Sequence, residues 1–161
     1  MSINKDRPHV LVLPEDDANR QLAIGFLLAV DPTRQRQMKV LSVAGGWKNV
    51  LNLFNSDHVI EMDRNSNRLV ILLIDFDEDE NRLEAAKAAI PEHLADRVFV
   101  LGALSEPEDL KRANLGSYET IGLRLAKDCC EETDTTWGHD LLRHNTGELD
   151  RLREHVRPIL F

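Results

Sequence analysis

Leu69-Val70-Ile71-Leu72-Leu73-Ile74, followed at once by Asp75-Phe76-Asp77-Glu78-Asp79, decides how this chain folds. An unbroken apolar run of this length cannot keep one face in water. It reads as a strand of a parallel sheet that is covered on both sides. The acidic cluster behind it marks the strand's carboxyl end. Earlier in the chain, His9-Val10-Leu11-Val12-Leu13 stops in the same manner at Pro14-Glu15-Asp16-Asp17. Neighbouring strands of a parallel sheet present their carboxyl ends along one edge, so loops far apart in sequence meet there. Carboxylates gathered in this way repel one another unless a cation sits among them, and a hard divalent ion is the usual answer.

Working outward, residues 18–30 read as a helix, with Leu22, Ile24, Phe26, Leu27 and Leu28 in it and Asp31-Pro32 ending it. Residues 37–43 read as a second strand. Ala44-Gly45-Gly46 then leads into a helix over 47–54, where Trp47, Val50, Leu51 and Phe54 fall at helical spacing. Residues 55–68 read as a variable connection with a turn at Asn65-Ser66-Asn67. After the apolar strand, residues 81–90 form an alanine-rich helix closed by Pro91, and residues 97–101 a fourth strand ending at Gly102. Beyond it the chain reads as helical over 106–112, 118–132, 137–144 and 147–156. The expected fold is α/β, a four-stranded, mainly parallel sheet flanked by helices with right-handed crossovers. The α/β core covers residues 8–104 and a helical C-terminal extension covers 105–161, within a single domain.

The chain has 161 residues, 42% of them hydrophobic and 30% charged, which fits one soluble globular domain. Its apolar runs are too short to span a bilayer, and Met1-Ser2-Ile3-Asn4-Lys5-Asp6-Arg7-Pro8 lacks the apolar core of a signal peptide, so a cytoplasmic location is expected. The two cysteines, Cys129 and Cys130, are adjacent; they form neither an ordinary unstrained disulfide nor a zinc site and read as free thiols on a helix. A net charge of −8 argues against strong nucleic-acid binding by this chain alone, because phosphate contacts need clustered Lys and Arg.

Asp75 and Asp77 carry the strongest chemistry. Two aspartates one residue apart at the fraying end of a buried strand can turn toward the same ion, and Glu15 can supply a third oxygen. Mg²⁺ typically takes one or two protein carboxylates and leaves its other positions to water or phosphate. The plainer alternative is a solvated turn and helix N-cap over residues 75–79, where acidic residues suit the helix dipole. Asp17, Asp79 and Glu108 are further candidates for a second ion or for orienting water. Gly45-Gly46, opening a helix, can offer free N–H groups to an anion beside Lys48, or can form a tight turn. Ser105 and Glu108 match a capping box, with Pro107 early in the helix. His139, His144 and His155 do not match a His-Glu-x-x-His zinc helix and read as packing or surface residues. Arg143, Arg151, Arg153 and Arg157, mixed with Glu148, Asp150 and Glu154, read as a solvated helical face.

Two families share these motifs. Val10-Leu11-Val12-Leu13-Pro14-Glu15-Asp16-Asp17-Ala18-Asn19-Arg20 resembles the opening of a response-regulator receiver domain. That resemblance implies a Mg²⁺-binding pair at Asp16 and Asp17, a phosphate acceptor at Asp75 and a hydroxyl residue at Ser105. The receiver's fifth strand and its lysine have no counterpart after Leu101. Over residues 10–104 the pattern is more similar to a Toprim (topoisomerase–primase) domain. Glu15 follows the first strand, Asp75-Phe76-Asp77 follows the third, and Gly45-Gly46 follows the second, as in the Toprim domains of old-type nucleases. The Toprim resemblance implies Mg²⁺ or Mn²⁺ bound by Glu15, Asp75 and Asp77, with these as the catalytic residues of phosphodiester hydrolysis in a nucleic acid. It also implies a partner protein such as an ABC-like ATPase, or a homo-oligomer, that supplies the nucleic-acid affinity this acidic chain lacks. A receiver-like signalling module and a non-catalytic α/β interaction scaffold are the alternatives.

Overall fold

In the computed structural model, which describes residues 2–161, four strands alternate with helices: β1 (His9–Pro14), β2 (Met38–Val40), β3 (Arg68–Leu73) and β4 (Val98–Leu101). They form one parallel sheet in the order β2-β1-β3-β4. β1 and β3 lie at its centre and pair along their whole length, from His9 opposite Arg68 to Pro14 opposite Leu73. The two-residue alternation of a strand sends Val10, Val12, Leu69, Ile71, Phe99 and Leu101 to one face, and Leu11, Leu13, Val70, Leu72, Val98 and Val100 to the other. Both faces are covered, which is why these strands read as continuous apolar runs.

The first face packs against α1 (Asp17–Leu28), α6 (Tyr118–Glu131), α7 (Thr146–His155) and the short α8 (Arg157–Leu160). The second packs against α2 (Trp47–Leu53), α3 (Val59–Arg64) and α4 (Glu80–Ala88). Leu72 is fully buried at the centre of this second core, a burial that stabilises the fold by about 2 kcal/mol. The helices α1 and α6 cross at backbone contact. A Cβ on Gly25 would lie 2.0 Å from the Glu119 carbonyl oxygen, and one on Gly122 would lie 1.9 Å from that of Leu22. Asp16 caps α1 by accepting the N–H of Asn19, and Asp79 caps α4 by accepting that of Asn81.

Three segments depart from the expected elements. Residues 55–68 are not an irregular connection: α2 runs through a π-helical turn, Phe54–His58, into α3. No glycine or proline interrupts residues 47–64, and the fully buried Phe54 and Met62 hold the stretch to the sheet despite its turn-forming Asn, Ser and Asp. Residues 137–144 form turns rather than a helix, closing with a single 3₁₀ turn, Arg143–Asn145. The buried Asp128 carboxylate accepts the N–H groups of Thr136 and Trp137 and the Thr133 hydroxyl, tying the start of the stretch to α6. The Leu141 N–H goes to the His139 ring and not to the Trp137 carbonyl that a helix would offer. Finally, Ser105 does not cap α5 (Pro107–Arg112); Glu106 holds the N-cap position, and the Ser105 hydroxyl donates to Asp109. No helix among the described residues is long and apolar enough to cross a membrane.

Candidate metal centre at the ends of β1 and β3

From β1 the chain moves outward to β2, and from β3 it moves outward on the opposite side to β4. The loops after β1 and β3 therefore part, and the crevice between them is the topological switch point where α/β sheets bind ligands. Glu15 and Asp75 border it. The Asp75 backbone N–H donates to Glu15 Oε2 at 2.6 Å, and the Glu15 N–H donates to the Leu73 carbonyl at 2.9 Å. The glycine turn closes over Glu15 from the β2 side. Gly45 and Gly46, with φ of +82° and +122°, direct their N–H groups to the Glu15 carbonyl oxygen at 2.9 and 3.3 Å. These N–H groups are thereby engaged, so the turn anchors Glu15 and does not present a free anion cradle.

Asn19 joins the two strand ends. It is fully buried in the first turn of α1, and its Nδ2 donates to Asp16 Oδ1 at 3.0 Å and to Asp75 Oδ1 at 2.8 Å. Its Oδ1 has no partner. On the far side, Arg82 of α4 donates from Nη1 to the Asp75 carbonyl at 2.7 Å, and its guanidinium lies 4.7 Å above the centre of the Trp47 ring. The Asp75 carboxyl is pushed up to about 7, first by burial and then by the charges of Glu15, Asp16 and Glu108, against the Asn19 hydrogen bond. Burial likewise pushes Glu15 up, Asp16 adding to the shift, while the Asp75 N–H opposes it. Like charges are being held together in a partly desolvated crevice.

The remaining candidates divide clearly. Glu108, half-buried on α5, faces the crevice and bears on both Asp75 and Tyr118. Asp77 points away: it is exposed, and its carboxylate stands 3.7 Å from Arg82. Asp77 and Glu78 both adopt left-handed backbone, φ +51° and +55°, at a cost of about 1 kcal/mol or more each. Asp17 is exposed on α1, paired with Arg20 and Gln21, and Asp79 is engaged as the α4 cap. Ser105 is buried and bonded to Asp109.

Two residues of the crevice carried no motif. Asn19 stands three residues after the capping Asp16, a position whose side chain turns back toward the helix start; that spacing is the one signal that could have found it. Arg82 sits in a helix so rich in charge that it reads as solvated, and only the tertiary fold lays it beside Asp75. Among the described residues no three His, Cys, Asp or Glu side chains converge as a ready-made metal cage. Asp16 is engaged as a cap and Glu15 by the Asp75 N–H. Mg²⁺ and Mn²⁺ fit this donor set nonetheless, because such ions need only one or two carboxylates, here clustered with Arg82 as a partial counter-charge and, among the described residues, no ion pair to any of them. No protein-family model, no curated protein and no solved structure matches the chain.

Proposed function

We propose that this chain binds a divalent cation, Mg²⁺ or Mn²⁺, at the β1–β3 switch point and uses it for phosphoryl transfer, with hydrolysis of phosphodiesters in a nucleic acid as the reaction. The observation that supports it most directly is the contact of Glu15 with Asp75 across adjacent strand ends, with the Asp75 proton held up to about 7 by burial and by neighbouring carboxylates. A cation relieves that repulsion, which Arg82 offsets only in part at Glu15 and the Asn19 hydrogen bond only in part at Asp75. Bound there, such an ion polarises a phosphoryl oxygen and makes bound water more acidic. The chain's own residues do the rest. Asp75 and Glu15 hold the ion, Asn19 fixes the Asp75 carboxylate, and Glu108 stands ready to orient water. Arg82 offers a positive guanidinium to the phosphoryl oxygens. With a net charge of −8, the chain depends on a partner protein or a second copy for most of its nucleic-acid affinity.

The test is nicking of supercoiled plasmid by wild type and Asp75→Asn in Mn²⁺, alongside thermal unfolding in the same buffers. Wild type should nick slowly and gain stability from Mn²⁺, by about 2.7 kcal/mol at a hundredfold excess over Kd, and the variant should do neither. Absence of both effects in wild type would overturn the proposal.

One observation favours a second reading. Asn19 ties Asp16 to Asp75 while Asp77 faces Arg82, which leaves the half-buried Asp75 as the one aspartate of its pair at the centre, as a receiver-like phosphate acceptor requires. Incubation with acetyl phosphate and Mg²⁺ separates the two: an acyl phosphate on Asp75, released by hydroxylamine, supports the acceptor, and its absence beside plasmid nicking supports the hydrolase.

A further inference from the structure

In a parallel strand every second residue turns both its N–H and its C=O to the same neighbour. At the end of β4, Leu101, Ala103 and Ser105 face inward and accept the N–H groups of Ile74, Phe76 and Asp77 at 2.9, 3.1 and 3.0 Å. The Leu104 carbonyl accepts that of Glu78 at 2.8 Å. Pairing thus continues past the strands and holds the acidic loop residue by residue, including its two left-handed positions.

Val98, Val100 and Gly102 face outward, where a fifth strand would stand, and Leu104 turns only its N–H that way. The C-terminal segment takes its place with side chains. Arg151 donates to the Val98 carbonyl at 3.3 and 3.2 Å, and Glu148 accepts the Val100 N–H at 2.8 Å. The Leu104 N–H reaches the Leu141 carbonyl at 2.8 Å. Between them, the buried Asn145 accepts the Gly102 N–H at 3.3 Å and donates to the Gly102 carbonyl at 2.9 Å. Gly102 has no room to shift inward, since even a Cβ there would lie 1.6 Å from the Ile74 carbonyl oxygen. It is pressed on β3 from one side and clamped by Asn145 from the other. The neighbouring His144 sets its ring edge-on to Phe76, the residue between Asp75 and Asp77, with centroids 5.2 Å apart.

We propose that Asn145 is a positioning residue for the acidic site: the C-terminal segment serves as a surrogate edge strand that fixes the end of β4, and through it the loop of Asp75 to Asp79, in its cation-binding geometry. This rests on the cation reading given above. It makes the segment from Leu141 to Arg151 part of the site's construction, although none of its residues is among those placed at the crevice, Glu15, Asn19, Asp75, Arg82 and Glu108.

The experiment uses the full chain as wild type, Asn145→Ala, Asn145→Asp and Glu148→Gln. The last keeps an acceptor for the Val100 N–H but removes the charge that Arg151 and Lys87 pair with, and so weakens the clamp inside β4 and not at its end. Mn²⁺ affinity is read by electron paramagnetic resonance, and amide hydrogen exchange at Phe76, Asp77 and Glu78 is read without metal. Asn145→Ala should weaken Mn²⁺ binding about tenfold and speed exchange at those three amides relative to Ile71 and Leu72. Asn145→Asp keeps the acceptor for the Gly102 N–H but sets a carboxylate oxygen against the Gly102 and Leu142 carbonyls. Above its own pKa it should therefore disturb both readouts at least as much as alanine, and once protonated at low pH it should recover loop protection. Glu148→Gln should lower Tm yet leave both readouts at their wild-type values. The proposal is overturned if folded Asn145 variants keep wild-type affinity and loop protection, or if Glu148→Gln disturbs both equally. If wild type takes up no Mn²⁺, it is the cation reading that fails, and exchange in the loop still decides the positioning role.

Discussion

The two ends of the central strand pair carry opposite chemistry. At the amino end His9 and Arg68 stand in register, and Arg68 Nε donates to His9 Nε2 at 3.1 Å while His9 Nδ1 bonds the Arg7 carbonyl at 2.9 Å. Burial lowers the His9 pKa, so the ring stays neutral and serves as the acceptor that Arg68 needs. At the carboxyl end Glu15 and Asp75 meet as two acids, with Asp16 and Glu108 nearby. Among the described residues no Lys or Arg forms an ion pair with Glu15, Asp16 or Asp75. One end meets a basic group with a neutral one, and the other gathers groups of like charge with no ion pair among them and only Arg82 nearby in partial compensation. A buried polar pair that satisfies itself is structural, whereas one that repels itself calls for something from outside.

Asp75→Asn should break this contrast most sharply. The Asp75 carboxyl rises from an ordinary aspartate's 3.8 to about 7 in the folded chain, so the folded state holds the proton more tightly than the unfolded state. The resulting stability is fully present below the unfolded pKa and is lost as pH climbs through about 7. Metal-free wild type should therefore lose about 1–2 kcal/mol between pH 4 and 8, after allowance for solvent screening, and Asp75→Asn should lack that component. Mn²⁺ should restore the loss in wild type alone. Superimposable pH–stability curves for the two proteins would remove the electrostatic basis of the site. Glu15→Gln comes next. Its amide oxygen still accepts the Asp75 N–H, so the fold persists, while the loss of a charged ligand should cost about tenfold in Mn²⁺ affinity. Unchanged affinity, read by titration calorimetry, would take Glu15 out of the site.

The amino end should respond in the opposite way. Arg68→Met leaves His9 Nε2 buried without its donor, which should cost about 1–3 kcal/mol in urea unfolding. Replacing both residues, His9→Leu with Arg68→Met, should recover much of that loss, because two apolar groups leave no orphan. Neither change should alter Mn²⁺ affinity at the far end of the strands. A loss of affinity there would mean that the two ends are coupled through the sheet and that the contrast is not local.

Much of this was legible in the residues. The run from Leu69 to Ile74 could only be a doubly covered strand, and the acidic stops of β1 and β3 placed Glu15 and Asp75 on one edge before any coordinates did. Local pattern misled where tertiary contacts prevailed. Residues 55–68 read as a variable connection, yet buried Phe54 and Met62 carry the helix through Asn55, Ser56 and Asp57. Trp137 to His144 reads as helical, yet Asp128 holds only its first N–H, and the Leu141 N–H goes to the His139 ring in place of a helical carbonyl. Asn19 and Arg82 were hidden because their importance lies in what they reach, Asp75 in both cases, and reach is a property of the fold. The mimicry of a fifth strand by Asn145 and Glu148 was invisible for the same reason: no pattern in a helix announces that its side chains will satisfy a strand.

Asp77 offers the smallest expected effect and the finest discrimination. Both aspartates of Asp75-Phe76-Asp77 look equivalent in sequence, but the left-handed turn at Asp77 sends its carboxylate out to Arg82, 3.7 Å away and open to solvent. A surface pair of this kind contributes little, so Asp77→Asn should change stability by less than about 0.5 kcal/mol and Mn²⁺ affinity by less than about threefold. Against the full loss expected for Asp75→Asn, that result would make the crevice a site of one aspartate and one glutamate, the pair that holds the ion in the proposed hydrolysis. A tenfold loss on Asp77→Asn would say the reverse. The loop would then have to turn Asp77 inward when the ion arrives, breaking the Arg82 contact, and the paired aspartates of the Toprim resemblance would be acting as a pair.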